Sequence, residues 1–141
     1  MSETTSRYVK VGEDGALLAA DATEWVAVLD TKSNLMWAVE VLPRMEFKDA
    51  LEAPGKLAIG GFKDWRLPTV EELFCLADRT KFNPAIDQDF FPKTPSSWFW
   101  SSTVDAESPS DYAWDVHFYY GSSGWNDQDY EGFVRAVRPG Q

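Results

Sequence analysis

Seven tryptophans, nine phenylalanines and five tyrosines in a chain of 141 residues narrow the possible folds more than any other feature. Such rings are large, rigid and costly to leave in water, so most must fill a core. The surplus is expected on a face that touches something. At this length folding buries about 68% of the surface that the unfolded chain exposes, which suffices without metal or cross-link. With 44% hydrophobic and 26% charged residues, the composition is that of one soluble globular domain.

Thirteen basic against 23 acidic side chains give a net charge of −10 at pH 7. That charge opposes direct attraction to nucleic acid or an anionic membrane, so partners are expected to be neutral or basic. The single cysteine, Cys75, excludes an intramolecular disulfide and the zinc clusters that need two thiolates. The polar, acidic start has no apolar run behind it. No stretch approaches the roughly 18 apolar residues of a membrane span. The expected location is the cytoplasm, or a virion packaged from it.

Met1 to Arg7 is small and polar and is expected to fray as a flexible N-terminal tail, leaving residues 8–141 as a single domain. Tyr8 to Val11 and Leu17 to Ala20, on either side of Glu13-Asp14-Gly15, read as two short paired strands. Trp25 to Leu29 and Leu35 to Val39 read as a hairpin about the polar turn Asp30 to Asn34. Pro43 to Ala53, stopped by Pro54-Gly55, reads as a helix. A second helix should start at Val70, because Thr69 and Glu72 form a T-x-x-E capping box. Its core stripe is Val70, Leu73, Phe74 and Ala77, with Cys75 off that stripe.

Lys81 to Pro95 reads as a packed loop, anchored at intervals by Phe82, Ile86, Phe90 and Phe91. Trp98 to Ser102 and Tyr112 to Tyr120 read as strands. Alternation in the second places Trp114, Val116, Phe118 and Tyr120 on one side and Asp115, His117 and Tyr119 on the other. Gly121 to Gly124 should turn the chain into a last strand, Phe133 to Arg138.

Several of these segments resemble one family. Asp30-Thr31-Lys32-Ser33-Asn34-Leu35-Met36-Trp37 and Gly61-Phe62-Lys63-Asp64-Trp65-Arg66-Leu67-Pro68-Thr69-Val70-Glu71-Glu72-Leu73 are similar to the Lcl C-terminal domain family. Asn83-Pro84-Ala85-Ile86, Phe91-Pro92, Ser96 to Thr103, Ala113-Trp114 and Val134 to Arg138 follow in the family's order. The resemblance implies an α+β, C-type-lectin-like fold: two helices flanking small antiparallel sheets, long irregular loops, and termini close together. That fold group holds phage receptor-binding proteins, adhesin tips and formylglycine-generating enzymes, so fold does not settle function.

Asp64-Trp65-Arg66-Leu67-Pro68 reads as structural, an indole closing one edge of the core and a guanidinium tying loops together. Trp98, Trp100 and Trp114 read as core. The expected ligand-binding face is Tyr112, Asp115, His117, Tyr119, Trp125, Asn126, Asp127, Gln128, Asp129 and Tyr130. Rings there give contact area at low entropic cost, and amides adapt their hydrogen bonds. Trp125-Asn126-Asp127 looks like the Trp-Asn-Asp tripeptide of calcium-dependent lectins, but calcium takes roughly six to eight oxygens and the companion tripeptide is broken at Glu107-Ser108-Pro109-Ser110-Asp111. An acidic turn without metal is the preferred reading, and no cofactor is expected. The lone His117 and the helical Cys75 form no catalytic constellation, so no enzyme is expected.

Two functions fit. The first is a non-catalytic binding module that presents this aromatic and acidic face to a protein or glycan, as phage or bacterial adhesins do. The alternative is a small acidic, phage-encoded inhibitor of a host defence or transcription complex. In it Asp105, Glu107, Asp111, Asp127, Asp129 and Glu131 would stand in for phosphates and block a basic nucleic-acid-binding groove.

Overall fold

A computed structural model describes residues 7–140. Its elements run β1 (Tyr8–Val11), β2 (Ala27–Asp30), β3 (Leu35–Ala38), β4 (Leu42–Met45), α1 (Phe47–Glu52), α2 (Val70–Phe74), β5 (Trp98–Val104), β6 (Tyr112–His117), β7 (Ser122–Asp127), β8 (Gly132–Val134) and β9 (Val137–Pro139). Short 3₁₀ turns follow α1 at Ala53–Lys56 and Ile59–Gly61. One sheet has the order β1-β2-β3-β9 and the other β4-β8-β5-β6-β7. The chain is therefore α+β with small sheets, and the sheets dominate. All strand pairs are antiparallel except β5 with β8, which run parallel through Phe99 and Phe133.

The β2–β3 hairpin forms where the sequence places it, and Asp30 is the reason. Buried at the end of β2, its carboxylate accepts the Lys32 N–H at 3.0 Å and the Ser33 hydroxyl at 2.9 Å, which closes the turn. Arg7 forks onto it with bonds of 2.9 and 2.8 Å. Burial alone would raise the Asp30 pKa, but these bonds hold it below the usual carboxylate range. Arg7 is thus tied down, while the rest of the segment expected to fray lies outside the described residues.

The second helix begins as its capping box demands. Thr69 Oγ1 accepts the Glu72 N–H at 3.2 Å, and Glu72 Oε1 accepts the Thr69 N–H at 2.9 Å. Arg66 then forks onto the same Glu72 carboxylate with two bonds of 2.8 Å. Thr69→Ala should cost about 1 kcal/mol in urea unfolding, and a cost indistinguishable from zero would mean that the Arg66 fork alone holds the helix start. The helix stops at Phe74, so Leu76 is buried instead of Ala77, which is only half-buried.

Four expectations need correction. Leu17 makes a single bridge to Val11 and is 56% exposed, so β1 finds its partner in β2. Pro43 lies in the edge strand β4, where a missing N–H is tolerated, and the helix starts only at Phe47. The turn expected at Gly121 to Gly124 comes earlier, because it is Gly121 that carries the positive φ of 81°; Ser122 already belongs to β7. The last strand splits into β8 in one sheet and β9 in the other, with Arg135 and Ala136 crossing between them.

The core lies where these sheets meet. Val28, Trp37 and Val137 from the first pack with Leu73, Ile86, Phe91, Phe99, Val116 and Phe118. A neighbouring cluster holds Trp100 with Phe47, Leu67 and Ala113. Trp98 lies half-buried beside it, and a Cβ at Gly132 would run into its ring. No helix among the described residues is long and apolar enough to cross a membrane.

Candidate binding face on the β6 and β7 ladder

β6 and β7 pair over six positions, from Tyr112 opposite Asp127 to His117 opposite Ser122. Such a ladder holds side chains at fixed spacing. At one end the Tyr112 and Trp125 rings lie 5.7 Å apart at 38°, 37% and 57% exposed. Tyr130 follows in the turn after β7 and is 58% exposed. The Asp127 carboxylate accepts the Asp129 N–H at 2.9 Å and shapes that turn.

Gln128 fastens the turn to the preceding loop. Its side-chain amide donates to the carbonyls of Pro109 at 2.9 Å and Tyr112 at 3.1 Å. Its backbone N–H reaches Asp111 at 2.9 Å, and its carbonyl accepts from Phe47 at 3.1 Å. This end of the ladder therefore assembles Tyr112, Trp125, Asp127, Gln128, Asp129 and Tyr130.

The remaining expected residues are elsewhere. Asp115, expected on the binding face, is 3% exposed, and its carboxylate accepts the Asn126 side-chain N–H at 2.6 Å. Both residues occupy the opposite phase of the ladder from Tyr112 and Trp125. The alternation misled because both faces of β6 are covered: Val116 packs into the main core, and Ala113, on the face of Asp115, packs with Phe47, Leu67 and Trp100. His117 is half-buried and its Nδ1 accepts the Tyr119 N–H at 3.2 Å.

Tyr119 lies in the turn beyond the far end of β6, whose last residue, His117, is about 17 Å along the strand from Tyr112. There it joins a second ring group with Phe82 and Tyr120. The Phe82 centroid is 6.3 Å from each tyrosine, and the two tyrosines are 4.5 Å apart. Phe82 is 66% and Tyr120 68% exposed. The sequence reading missed both as surface rings, because it extended the strand alternation past His117 and took Phe82 for a loop anchor.

Among the described residues no three His, Cys, Asp or Glu side chains gather as a metal cage. In the lectin-like tripeptide, the Asn126 amide donates to the Asp115 carboxylate and Asp127 Oδ1 accepts the Asp129 N–H. Cys75 is an exposed free thiol.

The model of one family, the Lcl C-terminal domain, matches residues 26–138. The chain belongs to that family. No curated protein matches it. In this Lcl C-terminal domain the matched span takes in β2 to β8 and most of β9, whereas β1 and the connection up to Trp25 lie outside it.

Each residue of the domain's Asp64-Trp65-Arg66 segment has a structural occupation, as its sequence suggested. Asp64 takes Arg138 through bonds of 2.6 and 3.2 Å, and the Arg138 guanidinium stands 3.7 Å from the Phe62 ring centroid. Trp65 is buried and donates its indole N–H to Ile59 at 3.1 Å. Arg66 holds Glu72 and exchanges two backbone bonds of 2.9 Å with Val137.

The buried Asp115 makes stability depend on pH. Desolvation pushes its pKa above the ordinary value, against the lowering effects of the Asn126 bond and the nearby His117. The folded state therefore holds this proton more tightly than the unfolded one, and its contribution to stability is lost as pH rises from about 4 through the raised pKa. Asp115→Asn keeps an oxygen for Asn126 and cannot ionise. Its melting temperature should gain on wild type between pH 4 and pH 7, and a constant difference would show that Asp115 carries no penalty.

Proposed function

We propose that this Lcl C-terminal domain is a non-catalytic binding module on a C-type-lectin-like framework, presenting a ring-and-carboxylate face to a protein or glycan. The observation that carries the reading is the Tyr112 and Trp125 pair, two large rings held in contact on a rigid ladder yet open to water. Rings kept in that state are typical contact anchors, since they bring area with little entropy to lose. Tyr130 extends the apolar part of the face, and Asp127 and Asp129 border it. In support of the framework, the strands nearest the two ends of the chain, β1 and β9, share one sheet, and a long irregular connection joins α2 to β5.

A second reading, the acidic inhibitor, is favoured by a different observation. The Gln128 bonds draw Asp111, Asp127 and Asp129 around one turn, where their charges would meet a basic groove together. Salt separates the two. A glycan array and capture from bacterial lysate, each at about 50 mM and about 500 mM salt, should yield a ligand that survives high salt and is lost with Tyr112→Ala/Trp125→Ala. Steep loss with salt, matched by loss on neutralising the three aspartates, would favour the inhibitor. Ligands indifferent to both sets of substitutions would refute both.

A further inference from the structure

A cleft that shares no residue with the β6 and β7 face opens beside the N-terminal segment. A cavity of about 750 Å³ is lined by residues between Gly12 and Val26 on one side and by Val39 and Pro92 on the other. A second, of about 490 Å³, shares Glu13, Trp25, Val26 and Val39 with it and continues to Glu40 and Ile59. The shared walls make them one cleft, with room for more than one side chain.

Its floor is fixed. The Val39 N–H bonds to the Val26 carbonyl at 3.0 Å, and the Val26 N–H to Val11 at 2.9 Å. The Trp25 indole donates to the Phe90 carbonyl at 3.0 Å. The Lys10 ammonium stands 4.0 Å from the Trp25 ring centroid, but it is already bonded to the Ala20 and Ala22 carbonyls at 2.8 Å each and is 7% exposed.

The rim carries Glu13, Asp14, Glu24 and Glu40, all exposed, and no basic residue lines either cavity. Among the described residues none of these four carboxylates is in an ion pair, although Asp14 accepts the Ala16 N–H at 3.1 Å. An apolar floor inside an uncompensated acidic rim is complementary to a basic segment that also has an apolar side chain to bury. A free cation would satisfy the rim and leave the Trp25, Val26 and Val39 floor wet. The wall from Gly12 to Trp25 lies outside the family span, while Val26, Val39, Glu40, Ile59 and Pro92 lie within it.

We propose that this cleft docks a peptide segment of a partner protein in which lysine or arginine flanks an apolar anchor. The test is a titration of the ¹⁵N-labelled full chain with the synthetic peptide acetyl-Lys-Leu-Lys-Trp-Arg-amide, up to about 1 mM. Saturable shifts of the Trp25 indole and the Val26 and Val39 amides are expected. The triple variant Glu13→Gln/Glu24→Gln/Glu40→Gln, altered only at exposed side chains, should weaken them by about tenfold or more. The charge-reversed acetyl-Glu-Leu-Glu-Trp-Glu-amide should leave them still. Absence of saturable shifts there, equal shifts with the reversed peptide, or indifference to the triple variant would overturn the proposal. So would full reproduction by spermidine, which has no apolar anchor. Tyr112→Ala/Trp125→Ala should leave the titration unchanged, so the cleft and the ladder face stand or fall separately; loss of the shifts in that variant would show that the cleft is no independent site.

Discussion

Trp100→Ala is expected to lower the unfolding free energy by about 3–5 kcal/mol, while Trp125→Ala lowers it by about 1 kcal/mol or less. Both residues sit in strands of the same sheet. Trp100 is wholly buried, packed edge-on against Trp98 at 4.8 Å and Phe47 at 5.4 Å, and its indole donates to the Met45 carbonyl at 2.9 Å. Truncation opens a cavity and strands that carbonyl. Trp125 packs against the Tyr112 ring, opposite Trp114 in the ladder, and leaves more than half its surface in water. Urea unfolding of the two variants measures the contrast. Equal costs would mean that Trp125 belongs to the core and not to a contact face.

Arg135→Ala is expected to cost about 3 kcal/mol. Arg135 is 1% exposed at the crossover between β8 and β9. Its guanidinium donates to the Ala38 and Val39 carbonyls at 2.7 and 2.8 Å and to the Thr94 hydroxyl at 2.9 Å. The Thr94 hydroxyl in turn donates to the Phe91 carbonyl at 2.7 Å, and the Phe91 ring centroid lies 4.9 Å from the guanidinium carbon. One side chain thus joins the end of β3, the loop before β5 and the sheet crossover. Burial pushes its pKa down to about 9, so it remains a cation at neutral pH, held by carbonyl dipoles and a ring face. Alanine removes the bonds and the volume together, whereas methionine removes the bonds alone and should cost less. A loss below about 1 kcal/mol for alanine would show that the crossover does not depend on this clip.

What could be read from the sequence follows the range of the interactions involved. The capping box at Thr69 and the turn at Asp30 were legible because the bonds that define them close within three residues. The division of the last strand was not, since the groups that hold Arg135 at the crossover, Ala38, Val39 and Thr94, lie far away along the chain. The same limit governed the site. Tyr112, Trp125 and Tyr130 stood out by type and position, but Asp115 is buried on a face of β6 whose Ala113 packs with Phe47 and Leu67, which come from distant parts of the chain. Phe82 reaches the two tyrosines across a loop that no local period describes.

The most direct measurement pairs affinity with melting temperature in Tyr112→Ala/Trp125→Ala, using the ligand recovered by array or capture. Binding should weaken by at least about tenfold while the melting temperature falls by no more than about 5 °C. Retained binding with a large fall in melting temperature would contradict the account, for the two rings would then be holding the fold together and contacting nothing outside it.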